Sequence, residues 1–155
     1  MEIREAALSD LPEILRLGYQ LSLDMAAIEP EYFAVAEQRE QPMREAILQE
    51  QKALFLACEQ GKVLGFACVW EERTKPEENY LVSRRFAYLS DLVLSPSGRG
   101  RGLGGALLRA CKEWARARGI THMKLDSLAK NQAANHLYAR EGFRPVSQVM
   151  WAELT

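Results

Sequence analysis

Arg99-Gly100-Arg101-Gly102-Leu103-Gly104-Gly105 packs glycines and arginines into the start of a helical pattern that runs from Leu103 to Arg118. Glycines at a helix start leave main-chain N–H groups without partners and let a ligand come close to the backbone. The helix dipole adds roughly half a positive charge at that end, and the two arginines add more. The chemistry favoured is capture of a phosphate or pyrophosphate. Gly100 to Gly105 also satisfies G-x-G-x-x-G, with Asp126 about where a ribose-binding acid would lie. Two features oppose that dinucleotide reading. Ser95 to Arg99 separate the preceding apolar run from the first glycine, where the dinucleotide fold turns almost at once, and too little chain follows to build the rest of such a domain. A P-loop is excluded because no Lys-Ser/Thr follows the last glycine. A turn that used glycine for geometry alone would need neither arginine.

Other side chains carry less. Asp91 is the odd residue in the apolar run Phe86 to Leu94. Strict alternation puts it on one face with Ala87, Leu89 and Val93, where desolvation would raise its pKa. A buried aspartate satisfied by backbone donors is the competing reading. Asn131 opens a helix and fits an N-cap. His122 and His136 each stand alone, without an acidic or cysteine partner at ligand spacing, and read as surface or packing residues. Cys58, Cys68 and Cys111 sit in apolar patterns at unrelated spacings. They suggest buried thiols in a reducing compartment, the cytoplasm, rather than a metal site or disulfide framework.

The chain has 155 residues, 48% hydrophobic and 26% charged, with a formal charge of -1. That length fits one domain, residues 1–155, able to bury roughly 70% of its unfolded surface. Near-neutral charge supplies no global field for nucleic acid or an anionic membrane, and no apolar run approaches the roughly 20 residues of a membrane span. The expectation is no nucleic-acid partner and no membrane.

Strand and helix patterns alternate along the chain. Ile3 and Arg4 open a first strand. Ser9 or Asp10 caps a helix with Glu13 at the capping-box position and Pro12 in its first turn; Leu11, Ile14, Leu15, Gly18, Leu21 and Met25 share its face. A second helix spans about Pro42 to Gln51. Leu54 to Cys58 and Val63 to Trp70 form a hairpin with Gly61 at its turn, and the polar loop Glu71 to Asn79 leads to the strand Phe86 to Leu94. The helix after the glycine turn buries Leu103, Leu107, Ala110, Cys111 and Trp114, and Gly119 follows as its C′ residue. His122 to Asp126 is a strand, Asn131 to Glu141 a helix stopped by Gly142, and Phe143 and Val149 to Leu154 are two last strands. The order implies a mixed α/β (α+β) fold with helices on both faces of a sheet.

Two ordered motifs carry a resemblance. Arg99-Gly100-Arg101-Gly102-Leu103-Gly104 matches R/Q-x-x-G-x-G/A after a strand. Asn131, Ala134, Leu137 and Tyr138, followed by Gly142 and Phe143, match Asn-x-x-Ala-x-x-Leu-Tyr and Gly-Phe. Over Tyr88 to Phe143 the chain resembles the GNAT-type N-acetyltransferases, which move an acetyl group from acetyl-CoA to an amine. The resemblance implies a central, largely antiparallel six- or seven-stranded mixed sheet with a splayed parallel strand pair and about four helices. Acetyl-CoA is the implied co-substrate, and no metal is expected. The amides of Arg99, Gly100, Arg101, Gly102, Leu103, Gly104 and Gly105 would hold its pyrophosphate. The pantetheine arm would lie along the end of the strand, Ser90 to Leu94, like an added β-strand, and an N–H near Leu92, Val93 or Leu94 would polarise the thioester carbonyl. Asn131 would bond the cofactor arm. Tyr138 would act as general acid toward the leaving thiolate, against a reading as a packed aromatic.

Related strands carry an acidic pair at Ser90-Asp91; serine at the first position leaves the general base open between Asp91 and other groups. The acceptor implied is a small-molecule or peptide amine, bounded by the first two helices, the Glu71 to Asn79 loop and the chain end. Asp24, Glu29 and Glu31 would attract a cationic amine; Tyr32, Phe33 and Tyr80 would suit an apolar one. A homodimer using the exposed edge of the last strands around Trp151 rests on family analogy alone. Two other classes stay open: a non-catalytic acyl-CoA-binding or interaction module on the same fold, and a nicotinamide-dependent oxidoreductase.

Overall fold

Apolar residues concentrate in three long strands, and these form the middle of the sheet. The computed structural model describes residues 1–155. Its elements are β1 (Glu2–Glu5), α1 (Leu11–Ile28), α2 (Glu40–Leu48), β2 (Lys52–Glu59), β3 (Lys62–Arg73), β4 (Arg85–Leu94), α3 (Leu103–Ala117), β5 (Met123–Leu125) and α4 (Gln132–Arg140). The strands lie in the order β1-β2-β3-β4-β5. The first four pair antiparallel and β5 pairs parallel to β4. A parallel neighbour needs a crossover, and α3 supplies it. Gln60 and Gly61, both at positive φ, close the β2–β3 hairpin as a two-residue turn.

The sheet divides the core in two. On one face Ala57, Ala67, Val69, Ala87 and Leu89 pack with Leu103, Leu107, Leu108 and Cys111 of α3, and Tyr138 and Phe143 join from the α4 side. On the other, Leu54, Leu56, Phe66, Cys68 and Val93 meet Leu11, Ile14 and Leu17 of α1 and Met43 and Ala46 of α2. All three cysteines are free and buried.

The α/β class and the helices on both faces agree with the sequence pattern, and the parallel pair agrees with the resemblance; some details differ. The sheet has five strands, fewer than six or seven. Phe143 packs against Tyr138, ring centroids 6.0 Å apart, without forming a strand. Val149 to Leu154 takes no regular structure, and Val149, Met150 and Leu154 are exposed. A strand needs a partner for its main-chain groups, and β5 offers three residues on that side. Asp10 does not cap α1. Its carboxylate accepts both Arg4 guanidinium nitrogens at 2.8 and 3.0 Å and the Ala7 N–H at 2.8 Å, which holds it below the usual carboxylate range. That pair anchors β1 to the turn before α1.

A bulge in β4 sets which way the side chains at its far end point. Val69 pairs with Leu89 and Cys68 with Asp91, so Ser90 is an extra residue in the ladder. One extra residue reverses the side-chain alternation beyond it. Ala87 and Leu89 face α3, and past the bulge Leu92 and Leu94 do so instead. Asp91 therefore does not share a face with Ala87 and Leu89. It points with Val93 and Cys68 toward α1 and α2.

Candidate active site

The strands β4 and β5 pair only at Ala87–Met123, Tyr88–Lys124 and Leu89–Leu125. Beyond Leu89, β4 runs on to Leu94 beside β3 with nothing on its other edge. Ser95 donates its N–H to the Leu64 carbonyl at 2.8 Å. Counting back by alternation, Leu92 and Leu94 turn their main-chain groups away from β3, into the cleft that opens between β4 and β5. The splay and its unpaired edge are thus present where the resemblance implied them.

The glycine turn closes one end of this cleft. Pro96–Gly98 form a short 3-10 turn, Gly100 and Gly102 take positive φ of 73° and 78°, and α3 starts at Leu103. Ala106 is the first residue to donate into the helix, to the Gly102 carbonyl at 3.2 Å. The N–H groups from Gly100 to Gly105 find no acceptor in the chain; that of Arg99 is committed to Pro96 at 3.4 Å. The amides left free to meet an anion are those of Gly100, Arg101, Gly102, Leu103, Gly104 and Gly105, while the Arg99 amide already has a partner. Consecutive free amides at a helix start are an anion site by geometry and dipole together.

Both arginines of the turn are tethered. Arg99 reaches Asp24 of α1 at 2.6 Å, and Arg101 pairs with Glu59 at the end of β2. Asp24 also accepts from Gln20 at 3.0 Å, and Glu29 pairs with Lys130 at 3.5 Å. The charges of Asp24 and Glu29 are thus balanced within the chain.

Tyr138 stands on α4, which begins where Asn131 accepts the Ala134 N–H at 3.3 Å as an N-cap. Glu141, accepting from Arg109 at 2.7 Å and Lys112 at 3.3 Å, ties the far end of α4 to α3. The three parts of the site meet at Gly104. A Cβ there would lie 3.1 Å from Leu137 Cδ2 and 3.6 Å from Leu94 Cδ1, so α3, α4 and the end of β4 converge on a position where only hydrogen fits comfortably. Burial pushes the Tyr138 phenol above its ordinary value, which keeps its proton in place at neutral pH.

Asp91 lies on the other face. Burial raises its carboxyl above the ordinary 3.8, opposed by the Ser90 hydroxyl, which donates to Asp91 Oδ2 at 3.0 Å. The desolvation read from the sequence is present, through different neighbours. Sequence reasoning missed a further contact here. The Tyr88 hydroxyl donates to Asp126 Oδ2 at 2.6 Å across the β4–β5 junction. No signal in the sequence pattern marks it, because it depends on the register in which β5 pairs with β4.

The remaining aromatic candidates gather elsewhere: Tyr32 meets Phe33 and Trp151 edge-on, each at 5.0 Å between centroids, while Tyr80 is exposed. His122 lies against Arg84 and Thr121, and His136 is exposed. No helix is long and apolar enough to cross a membrane.

Comparison with known proteins bears on the whole arrangement. The acetyltransferase (GNAT) family profile matches residues 20–143. An aminoglycoside N(6′)-acetyltransferase type 1 from Klebsiella aerogenes is 34% identical over 96 residues, 62% of this chain and 61% of that enzyme; the match thus spans about three fifths of that relative's length. A mutant of the BH1408 protein from Bacillus halodurans superposes with a TM-score of 0.90 at 23% identity over 100% of both chains. The aminoglycoside N-acetyltransferase AAC(6′)-Iy, solved with CoA, superposes at 0.75 with 21% identity over 99% of both chains. These structures share the fold, and the profile covers most of the sequence, including both motifs and the strand between them. The chain belongs to the GNAT acetyltransferase family.

Proposed function

We propose that residues 1–155 form a single N-acetyltransferase domain that transfers the acetyl group of acetyl-CoA to a primary amine by direct attack in a ternary complex. One observation carries the reading: free amides of Gly100 to Gly105 open onto the same cleft as the unpaired edge of Ser90 to Leu94. The first suits a diphosphate and the second suits an extended amide-bearing arm, and acetyl-CoA joins the two. The Leu92 or Leu94 N–H, turned into the cleft, polarises the thioester carbonyl; one such donor is worth about a hundredfold to a thousandfold in rate. Asn131 bonds the arm in addition to capping α4.

The amine must lose its proton before it attacks. Asp91 takes it, directly or through water, because a carboxyl raised by burial is a better base near neutrality than an ordinary one. The neutral amine forms a C–N bond to the carbonyl carbon, giving a tetrahedral intermediate. Its collapse breaks the C–S bond; Tyr138, still protonated, delivers a proton to the departing thiolate, and the proton that the nitrogen sheds as the amide forms returns the phenol to its starting state. The relatives' activities support an acetyl-transfer reaction, and among them an aminoglycoside enzyme supports a small-molecule amine as acceptor. Free, buried thiols fit a cytoplasmic location. The exposed apolar tail, with Trp151 at 64% and Leu154 at 92%, is the surface we assign to a homodimer.

Thermal shifts with acetyl-CoA, CoA, NAD and NADP test the cofactor, since a ligand at a hundred times its Kd adds about 2.7 kcal/mol of stability. Stabilisation by both CoA ligands and by neither nicotinamide is expected. Thiol release with polyamines, amino acids, aminoglycosides and peptides tests transfer. Binding of CoA with no transfer to any amine would support a binding module instead, and stabilisation by NAD alone would sink the reading.

A further inference from the structure

The chain carries one open sheet edge and one strand-like segment with nothing to pair it. β5 ends the sheet, with no neighbour beyond it. Ala87 donates its N–H to the His122 carbonyl at 2.9 Å, so by alternation Met123 and Leu125 turn their main-chain groups outward, away from β4. The opposite edge strand, β1, is blunted by Glu2, Arg4 and Glu5. β5 is flanked instead by the half-buried side chains of Met123, Leu125, Leu137, Tyr138 and Phe143. From Thr121 to Thr155 no residue is fully buried, so the β5–α4 wall of the cleft is left half-packed. Past Phe143 no main-chain group hydrogen-bonds within the chain. Val146, Val149, Met150, Trp151 and Leu154 are all exposed, Trp151 despite its edge-on contact with Tyr32. An apolar run left bare in this way marks an interaction surface.

We infer that two copies of this chain exchange tails: residues 149–154 of each pair as a strand with the outer edge of β5 in the other, and each cleft wall is completed by its partner. The inference deepens the homodimer assigned above and rests on the proposed transferase reading for its effect on turnover. The pattern of the tail fits that edge. Alternation puts Met150, Ala152 and Leu154 on one face and Val149, Trp151 and Glu153 on the other. The first, wholly apolar, continues Met123 and Leu125 beside α3. The second falls on the side of Lys124, which rests over Phe86 at 5.7 Å, and brings the Glu153 carboxylate to that cation. A second copy is the occupant because each chain supplies both the gap and what fills it. Two-fold exchange satisfies both edges and both tails at once, whereas a foreign strand on β5 would leave the tail bare.

Sedimentation of the full chain at micromolar concentration should give a dimer; a monomer would overturn the inference. Lys124→Cys/Glu153→Cys, oxidised, should run as a covalent dimer on a non-reducing gel, the native thiols being buried. Closure within one chain, or none, would overturn the exchange. Lys124→Glu and Glu153→Lys each set like charges at both exchanged edges, so each should raise the dimer dissociation constant about 5- to 30-fold. Mixing these two variants sets every tail against an edge of opposite charge and should restore the dimer; no recovery would refute pairing between copies. Met150→Asp/Leu154→Asp should be monomeric and lower kcat/KM for acetyl-CoA by about tenfold or more, because the wall of the cleft is displaced. A cross-linked dimer without thiol release would sink the transferase reading and leave the exchange standing. Full turnover by a monomer would overturn the exchange and leave that reading standing.

Discussion

Gly65→Ala asks whether close approach of β3 holds the end of β4 where the cleft needs it. Gly65 pairs with Leu94, and a Cβ at Gly65 would sit 2.6 Å from the Val93 carbonyl oxygen and 2.7 Å from Leu94 Cδ2. Carbon–oxygen contacts of this kind settle at about 3.3–3.6 Å, so one strand must retreat by roughly 0.7–1.0 Å. The first obstacle is main chain, which cannot swing aside as a side-chain tip can. Overpacking costs about 1–3 kcal/mol, and the upper part of that range, about 2–3, is expected. At about 2–4 °C per kcal/mol for a chain of this length, the melting temperature should fall by about 4–12 °C. The same displacement moves the Leu92 and Leu94 amides that are proposed to face the thioester, and a misplacement near 1 Å can cost about a hundredfold in rate. Gly61→Ala is the control. Gly61 has φ +76° with open space around it, so alanine there costs about 1–2 kcal/mol in backbone conformation alone and should leave kcat/KM for acetyl-CoA untouched. Scanning calorimetry and thiol release read both variants. If Gly65→Ala loses no more activity than Gly61→Ala, the contact does not position β4, and a wild-type melting temperature would refute the steric reasoning itself.

Three further substitutions separate the roles assigned to single residues. Tyr138→Phe should lower kcat by about ten- to a hundredfold while leaving the Kd for CoA within about twofold; unchanged kcat would make Tyr138 a packing residue. Asn131→Ala removes the N-cap of α4 and should cost about 1 kcal/mol, with a rise in KM for acetyl-CoA measured on top of the lower melting temperature if the amide also bonds the cofactor arm. For Asp91 the sign follows from burial. The native carboxyl sits above the ordinary 3.8, so the folded chain holds this proton more tightly than the unfolded one, and the residue's contribution to stability declines as pH rises from the ordinary value through the raised one. Asp91→Asn should therefore melt above the wild type at neutral pH, the gap closing in acid below the ordinary value, and should flatten the alkaline rise of the pH–rate profile. A melting gap independent of pH would contradict the buried carboxyl; an unaltered rate profile would remove Asp91 as base.

The elements with strong periodicity were legible. Of the α3 stripe, Leu103, Leu107 and Cys111 are buried as read while Ala110 and Trp114 are half-buried; the glycine turn and the hairpin at Gly61 stand where patterning put them, and the parallel partner after α3 stands where the family resemblance implied it. What escaped reading has a common cause: it depends on pairing rather than on propensity. Asp10 has an acceptor suited to capping, yet Arg4 from the neighbouring strand claims it. Val149 to Leu154 is apolar enough for a strand, but a strand without a partner ladder does not form. Asp24 and Glu29 looked free because their cations, Arg99 and Lys130, are remote in sequence.

The bulge at Ser90 shows how one unpaired residue organises the proposed chemistry. Without it, Asp91 would face α3 along with Ala87 and Leu89, on the same side as Tyr138, and acid and base would crowd one face of the cleft. With it, Asp91 turns toward α1 and α2 while Leu92 and Leu94 turn toward α3. In the proposed mechanism the group that takes the amine's proton and the group that protonates the thiolate thus stand on different faces of β4, so neither has to serve both steps.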